Sequence, residues 1–123
     1  MKAILSIKPE FVEKIFSGEK KYEYRKKVFK QDVDSVVIYS TKPVGMLVGE
    51  FKIDRVLHDD VENIWEKTNA FSGISYKYFK EYFSSQGMAY ALKIKDLIIY
   101  EKPLCPKKII PNFIAPQSFR YIK

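Results

Sequence analysis

The 123-residue chain contains one cysteine and one histidine, and these scarcities exclude several kinds of chemistry. Cys105 has no partner for an internal disulfide. A zinc site of the usual type needs three or four His or Cys ligands, and His58 and Cys105 lie far apart in the chain. No metal or cofactor is therefore expected. A Ser-His-Asp or Cys-His mechanism rests on His58 alone, which sits in "VLHDD" just before an apparent helix start and reads as an exposed polar residue. No apolar run approaches the ~20 residues that cross a bilayer. The opening "MKAILSIKPE" has too short an apolar stretch for a signal peptide. Together these absences predict a soluble, cytoplasmic protein.

Apolar residues make up 46% of the chain and aromatics 15%, which excludes disorder. A chain of this length buries roughly two-thirds of its unfolded surface, and one domain spanning 1–123 is expected. The net charge of +7 is uneven. Residues 1–30 hold nine Lys/Arg against four Glu, residues 31–101 eight against eleven acids, and residues 102–123 five against none. If the two basic ends meet in space, they form a positive face suited to phosphates. The alternative is lysine serving only solubility.

The hydrophobic pattern gives a coarse architecture. Ala3 to Ile7 reads as a buried strand. Pro9 then suits a first helical turn, with Phe11, Val12, Ile15 and Phe16 on one face and Gly18 as the C-terminal cap. Val36 to Thr41 is a β-branched central strand, and Lys42 to Gly45 a turn. Met46 to Leu57 is a long strand with Gly49 at a bulge or close approach. Asp59 or Asp60 caps a short helix carrying Val61, Ile64 and Trp65 on one side. Ser75 caps another, with Tyr78, Phe79, Tyr82 and Phe83 packing inward and Gly87 ending it. Ala89 to Tyr100 is the longest strand, bent at Asp96. After residue 102, prolines punctuate an irregular basic tail whose Ile109, Ile110, Phe113, Ile114, Phe119 and Tyr121 predict packing on the body. The sum, about five or six strands and three helices with few βαβ repeats, predicts an α+β, mostly β fold: a small antiparallel barrel with peripheral helices.

Between the first helix and the central strand stands "SGEKKYEYRK". Its alternation has the period of a strand over about Lys21 to Lys27. Tyr22 and Tyr24 then share one face, and Lys21, Glu23 and Arg25 the other. Glu23 and Arg25 can simply pair with each other or with a neighbouring strand. An exposed pair of that kind contributes about 0–1 kcal/mol. The same geometry also presents a donor fork that matches a phosphate or base edge, beside a carboxylate that accepts from an exocyclic amine. Lys20 adds a point charge only if the turn after the helix persists through it, because its parity is that of the tyrosines. Lys8 lies just before the helix, and Ser40 and Thr41 end the central strand.

"SIKPEFVEKIFSGEKKYEYRK" resembles the opening of the ASCH domain, a relative of the PUA domain. That family's motif, G-x-K-x-x-E-x-R, is matched by Gly18, Lys20, Glu23 and Arg25. "VVIYSTKPVGMLVGEF" and "APQSFRYI" are also similar to members, so the resemblance covers most of the chain. It implies a PUA-like β-barrel with a cleft beside the first helix, lined by the motif. It also implies RNA binding, with links to RNA processing and transcription regulation. One branch deacylates N4-acetylcytidine with the motif Lys, a Thr in place of the motif Glu, and a downstream Glu. Another is described as a ribonuclease. Here Glu23 has no hydroxyl, and the downstream Glu falls near Ser72, with Glu66 the nearest acid; Lys20 alone is retained.

The expected site therefore comprises Lys8, Gly18, Lys20, Glu23, Arg25, Ser40, Thr41, Gln117 and Ser118, with Arg120 nearby. Its expected partner is RNA or a nucleotide, exposed as a single strand or loop. No catalytic residue is assigned, and Lys20 and Glu23 are the candidates if the chain is an enzyme. The rival readings are a small hydrolase of modified nucleosides or RNA, with Ser40 or Thr41 supplying the hydroxyl or water attacking directly, and a basic surface for an acidic protein. "PQS" also fits ordinary turn chemistry after Pro116.

Overall fold

A computed structural model describes residues 1–122; Lys123, at the end of the basic tail, lies outside them. The elements run β1 (Lys2–Ile7), α1 (Pro9–Ser17), β2 (Tyr22–Arg25), β3 (Ser35–Ser40), β4 (Met46–Asp60), α2 (Val61–Thr68), a 3-10 turn (Asn69–Phe71), α3 (Tyr76–Tyr82), β5 (Met88–Leu104), α4 (Pro106–Ile109) and β6 (Phe119–Ile122). The fold is mixed α+β, with one six-stranded sheet in the order β2-β5-β4-β3-β1-β6. Every pairing is antiparallel except β1 with β3. That parallel pair is central and buried on both faces, which is why both strands read as continuous apolar runs.

The two long strands curl the sheet towards a barrel. Their pairing shifts register between Leu47 and Gly49, between Glu50 and Lys52, and between Ile53 and Arg55. Each shift adds bend and twist. Gly49 serves both expected roles at once. It lies at a shift, and a Cβ there would stand 2.6 Å from the Ile98 carbonyl oxygen and 3.1 Å from the Phe16 ring of α1. Asp96 bends β5 with a left-handed φ of 50°, a conformation its short polar side chain tolerates.

Closure is incomplete. Among the described residues no backbone ladder joins the edge strands β2 and β6. Side chains bridge the gap instead: Arg25 Nη2 donates to the Ser118 carbonyl at 2.7 Å and to Ser118 Oγ at 3.2 Å. The barrel is thus open along one seam. Its main core, with Leu5, Ile7, Val12, Ile15, Val36, Ile38, Phe51 and Leu92, joins α1 to the sheet. A second cluster of Tyr24, Val61, Ile64, Phe79 and Phe83 packs α2 and α3 on β2 and β5.

Several boundaries differ from the sequence pattern. β2 is shorter than expected, running only from Tyr22 to Arg25; at its start the Lys21 carbonyl accepts from Ile94 N of β5, while Lys21 N turns away to the Phe71 carbonyl. Ser75 and Asp60 cap their helices as expected, but α3 ends at Tyr82, before Gly87. The tail is more regular than its prolines suggest. It holds a fourth short helix, and β6 pairs antiparallel with β1. Phe113 is buried against Tyr39 and Leu47, whereas Ile109 and Ile114 are exposed.

Candidate functional site

The open seam contains a cleft with a cavity volume of about 130 Å³. Ordinary small-molecule pockets measure roughly 300–1,000 Å³, so this one has room for a single ring or phosphate-sized group. Its sides come from β1, the start of α1, the β2 segment and α3, with Ser6, Lys8, Lys20, Glu23, Arg25 and Tyr78 among the lining residues.

Local chain geometry delivers the charges. Gly18 ends α1 at φ 86°, and its N–H bonds the Ile15 carbonyl. A second bond, from Lys20 N to the Lys14 carbonyl, folds the chain back under the helix. Lys20 then forms an isolated antiparallel bridge with Ser72, before β2 starts at Tyr22. This placement removes the parity conflict, since Lys20 belongs to the turn and not to the strand. Its ammonium donates to the Ser72 carbonyl at 2.9 Å and lies 4.7 Å from the centre of the Tyr24 ring. Gly73 makes the approach possible. It has φ +67°, and a Cβ on it would sit 2.5 Å from the Lys20 Cβ. Gly73→Ala is therefore expected to cost about 1–3 kcal/mol from backbone strain and to displace Lys20. Gly87→Ala, where φ is not positive and the space is open, should change stability by less than about 0.5 kcal/mol. Thermal melts of the two variants check the contrast.

Three charged groups share the floor. Glu23 lies between two cations, with Lys20 Nζ at 4.0 Å and Arg25 Nη1 at 3.3 Å. The three side chains are 2%, 8% and 12% exposed for Lys20, Glu23 and Arg25. Burial depresses the Lys20 ammonium below the usual lysine range; Glu23 opposes that shift and Lys14 adds to it. Lys20 is thereby shifted towards the neutral amine, which is a base. Arg25 Nε is buried with no hydrogen-bond partner among the described residues. Burial pushes the Tyr24 phenol up to about 12, so it stays protonated at neutral pH. The Tyr82 phenol is also raised by burial, with Arg25 opposing. At the rim, Lys8 Nζ donates to the Tyr78 hydroxyl at 3.4 Å.

The first helix, its glycine cap, the buried Lys-Glu-Arg row and the open sheet form one unit, and residues 5–98 match the ASCH domain. The chain belongs to the ASCH-domain family. Over 128 aligned residues it is 27% identical to an ASCH domain-containing ribonuclease of Zymomonas mobilis, covering 98% of this chain and 84% of that protein. It is 32% identical to a segment of the Ureaplasma parvum ATP synthase subunit alpha, covering 98% of this chain but 15% of that protein. The crystal structure of the Z. mobilis ASCH protein matches 99% of this chain and 87% of its own at 27% identity, with a TM-score of 0.91.

In this ASCH domain the expected residues are only partly brought together. Lys8, Lys20, Glu23 and Arg25 line the cleft. Gly18 contributes its backbone turn. Ser118 holds Arg25 across the seam, and Ser6 fastens the tail beside it through Ser6 N to the Ser118 carbonyl and Ser6 Oγ to the Pro116 carbonyl. Ser40 is buried opposite Ile7, and Thr41 donates its N–H to the Ile7 carbonyl; neither lines the cleft. Gln117 and Arg120 are exposed and do not line it. Ser72, not the exposed Glu66, meets Lys20, and it does so through its carbonyl. Sequence reasoning missed Ser6, Phe11, Ile74, Tyr78 and Tyr82 as lining residues. The helical spacing of the α3 aromatics predicted packing for all four, but only Phe79 and Phe83 are fully buried. Tyr78 and Tyr82, one turn apart, face the cleft, and no single-sequence signal separates the two pairs.

Proposed function

We propose that this ASCH domain binds single-stranded RNA, seats one base in the cleft and cleaves the adjoining phosphodiester. The observation that carries this reading is the buried Lys20, shifted towards its neutral form beside the Glu23–Arg25 pair. The resemblance to a protein named a ribonuclease supports it. In this scheme Lys20 Nζ takes the proton of the ribose 2′-hydroxyl. The 2′-oxygen attacks phosphorus, and the 5′-oxygen leaves with a proton from the Lys8 ammonium. Arg25 stabilises charge on the phosphoryl oxygens. Glu23 holds both cations and turns its remaining lone pairs to a base amine. The products are a 2′,3′-cyclic phosphate and a 5′-hydroxyl.

The two basic ends support binding as well as cleavage. Arg25 meets Ser118, and the backbone N–H of Lys30 donates to the Tyr121 hydroxyl, so both ends adjoin. The tail accordingly acts as part of one domain with the barrel, and the setting we propose is RNA processing in the cytoplasm. The amidohydrolase reading is less well supported. Residue 23 lacks a hydroxyl, and Ser40 and Thr41 lie outside the cleft.

Incubation with single-stranded RNA, read by mass spectrometry of the new termini, tests the proposal. Cyclic-phosphate ends are expected, with affinity falling as salt rises. Intact RNA together with deacylation of N4-acetylcytidine would replace this reading with the amidohydrolase one. Salt-sensitive binding without new termini would leave an RNA-binding module.

A further inference from the structure

We propose that Tyr90 and His58 form a second subsite, a stacking platform for the base of the nucleotide next to the one in the cleft. The inference rests on the RNA reading above and extends it to a second binding position. The register places this platform beside Arg25. On β2, Arg25 stands directly opposite Tyr90 of β5, and Tyr90 stands directly opposite His58 of β4. Directly opposed residues project on the same face of a sheet. Arg25, Tyr90 and His58 therefore form one row across three strands, spanning roughly 10 Å at about 4.8 Å per strand.

The two rings of the row are already aligned. The imidazole and phenol are stacked, with centroids 4.1 Å apart and planes 8° from parallel. His58 is exposed and Tyr90 is partly exposed. They are thus a preordered two-ring stack in contact with water, and a base extends it by lying on an outer ring face. Most aromatic pairs elsewhere in the molecule are edge-on or tilted and belong to packed clusters. A stacked pair at the rim, one residue position from a guanidinium, suits a base whose phosphate faces that guanidinium. Every base has a π-face, so the platform adds affinity without choosing sequence. Selection remains with Glu23 in the cleft, and Lys26, one residue beyond Arg25, is exposed for a further phosphate.

The experiment compares two probes by fluorescence anisotropy or competition with a labelled strand: adenosine 3′-monophosphate and a short 2′-O-methyl oligoadenylate that cannot be cleaved through its 2′-oxygen. Tyr90→Ala and His58→Ala are each expected to weaken the oligonucleotide by roughly five- to a hundredfold. Affinity for the mononucleotide should stay within about twofold, because its single base occupies the cleft and leaves none for the ring stack. Tyr90→Phe, which keeps the ring, should bind both probes like the unaltered protein. Equal losses on both probes would mean that Tyr90 supports the cleft rather than a second base, and would overturn the platform. So would oligonucleotide binding that Arg25→Ala abolishes and both ring variants leave intact; the RNA reading would survive that result. Failure of the unaltered protein to bind either probe would overturn both readings.

Discussion

Lys20→Met is expected to lower RNA cleavage by about 10²–10⁴-fold, the usual contribution of a positioned general base, while changing RNA affinity far less. Methionine keeps the length and apolar stem that pack against Tyr24 and Gly73 and removes only the amine. The cleavage rate of the unaltered protein should rise with pH as Lys20 loses its proton. Because burial depresses this group, the rise is centred below 10.5, the ordinary lysine value, and it should vanish in the variant. Stability changes in step. Between the folded pKa and 10.5 the unfolded chain holds the proton and the folded chain has released it. Folding stability therefore climbs with pH through that window, and below it the charged, buried Lys20 is a constant cost. Lys20→Met removes that cost together with the bond to the Ser72 carbonyl and the pairing with Glu23, so the expected signature is a flatter dependence of melting temperature on alkaline pH than in the unaltered protein. A variant that cleaves RNA normally sinks the general-base role. One that loses both activity and fold points instead to a structural lysine.

Glu23→Gln should have the largest effect on stability. Among the described residues this carboxylate is the anion between the buried Lys20 and the largely buried Arg25, and removing one partner of a buried ion pair costs about 3–5 kcal/mol. For a chain of this length that is a fall in melting temperature of roughly 10–20 °C. The loss should shrink at high pH. Without Glu23, which raises the Lys20 pKa, the amine sheds its proton more readily and only Arg25 remains charged. Melting curves across neutral and alkaline pH check this. An equal loss at every pH would show that Glu23 acts through Arg25 alone. The two substitutions separate the roles of the row, with chemistry at Lys20 and charge balance at Glu23.

The sequence by itself determined the elements and the motif. Strand and helix periods, Pro9 at the start of α1, the caps at Asp60 and Ser75 and the glycine at position 18 are consequences of short-range sterics and hydrogen bonding, so they are written locally. The G-x-K-x-x-E-x-R spacing placed Lys20, Glu23 and Arg25 together for the same reason, since all lie within eight residues. Only the tertiary structure decided what surrounds them. The bridge from Lys20 to Ser72 spans 52 positions, and the contact from Arg25 to Ser118 spans 93. Such long contacts depend on how the sheet curls and where it stays open, and no period in the chain records that. The same curl sorts α3, sending Phe79 and Phe83 into the core and Tyr78 and Tyr82 to the cleft. It also turns a plain charged row into a buried one, and burial is the physical change that lowers the Lys20 pKa.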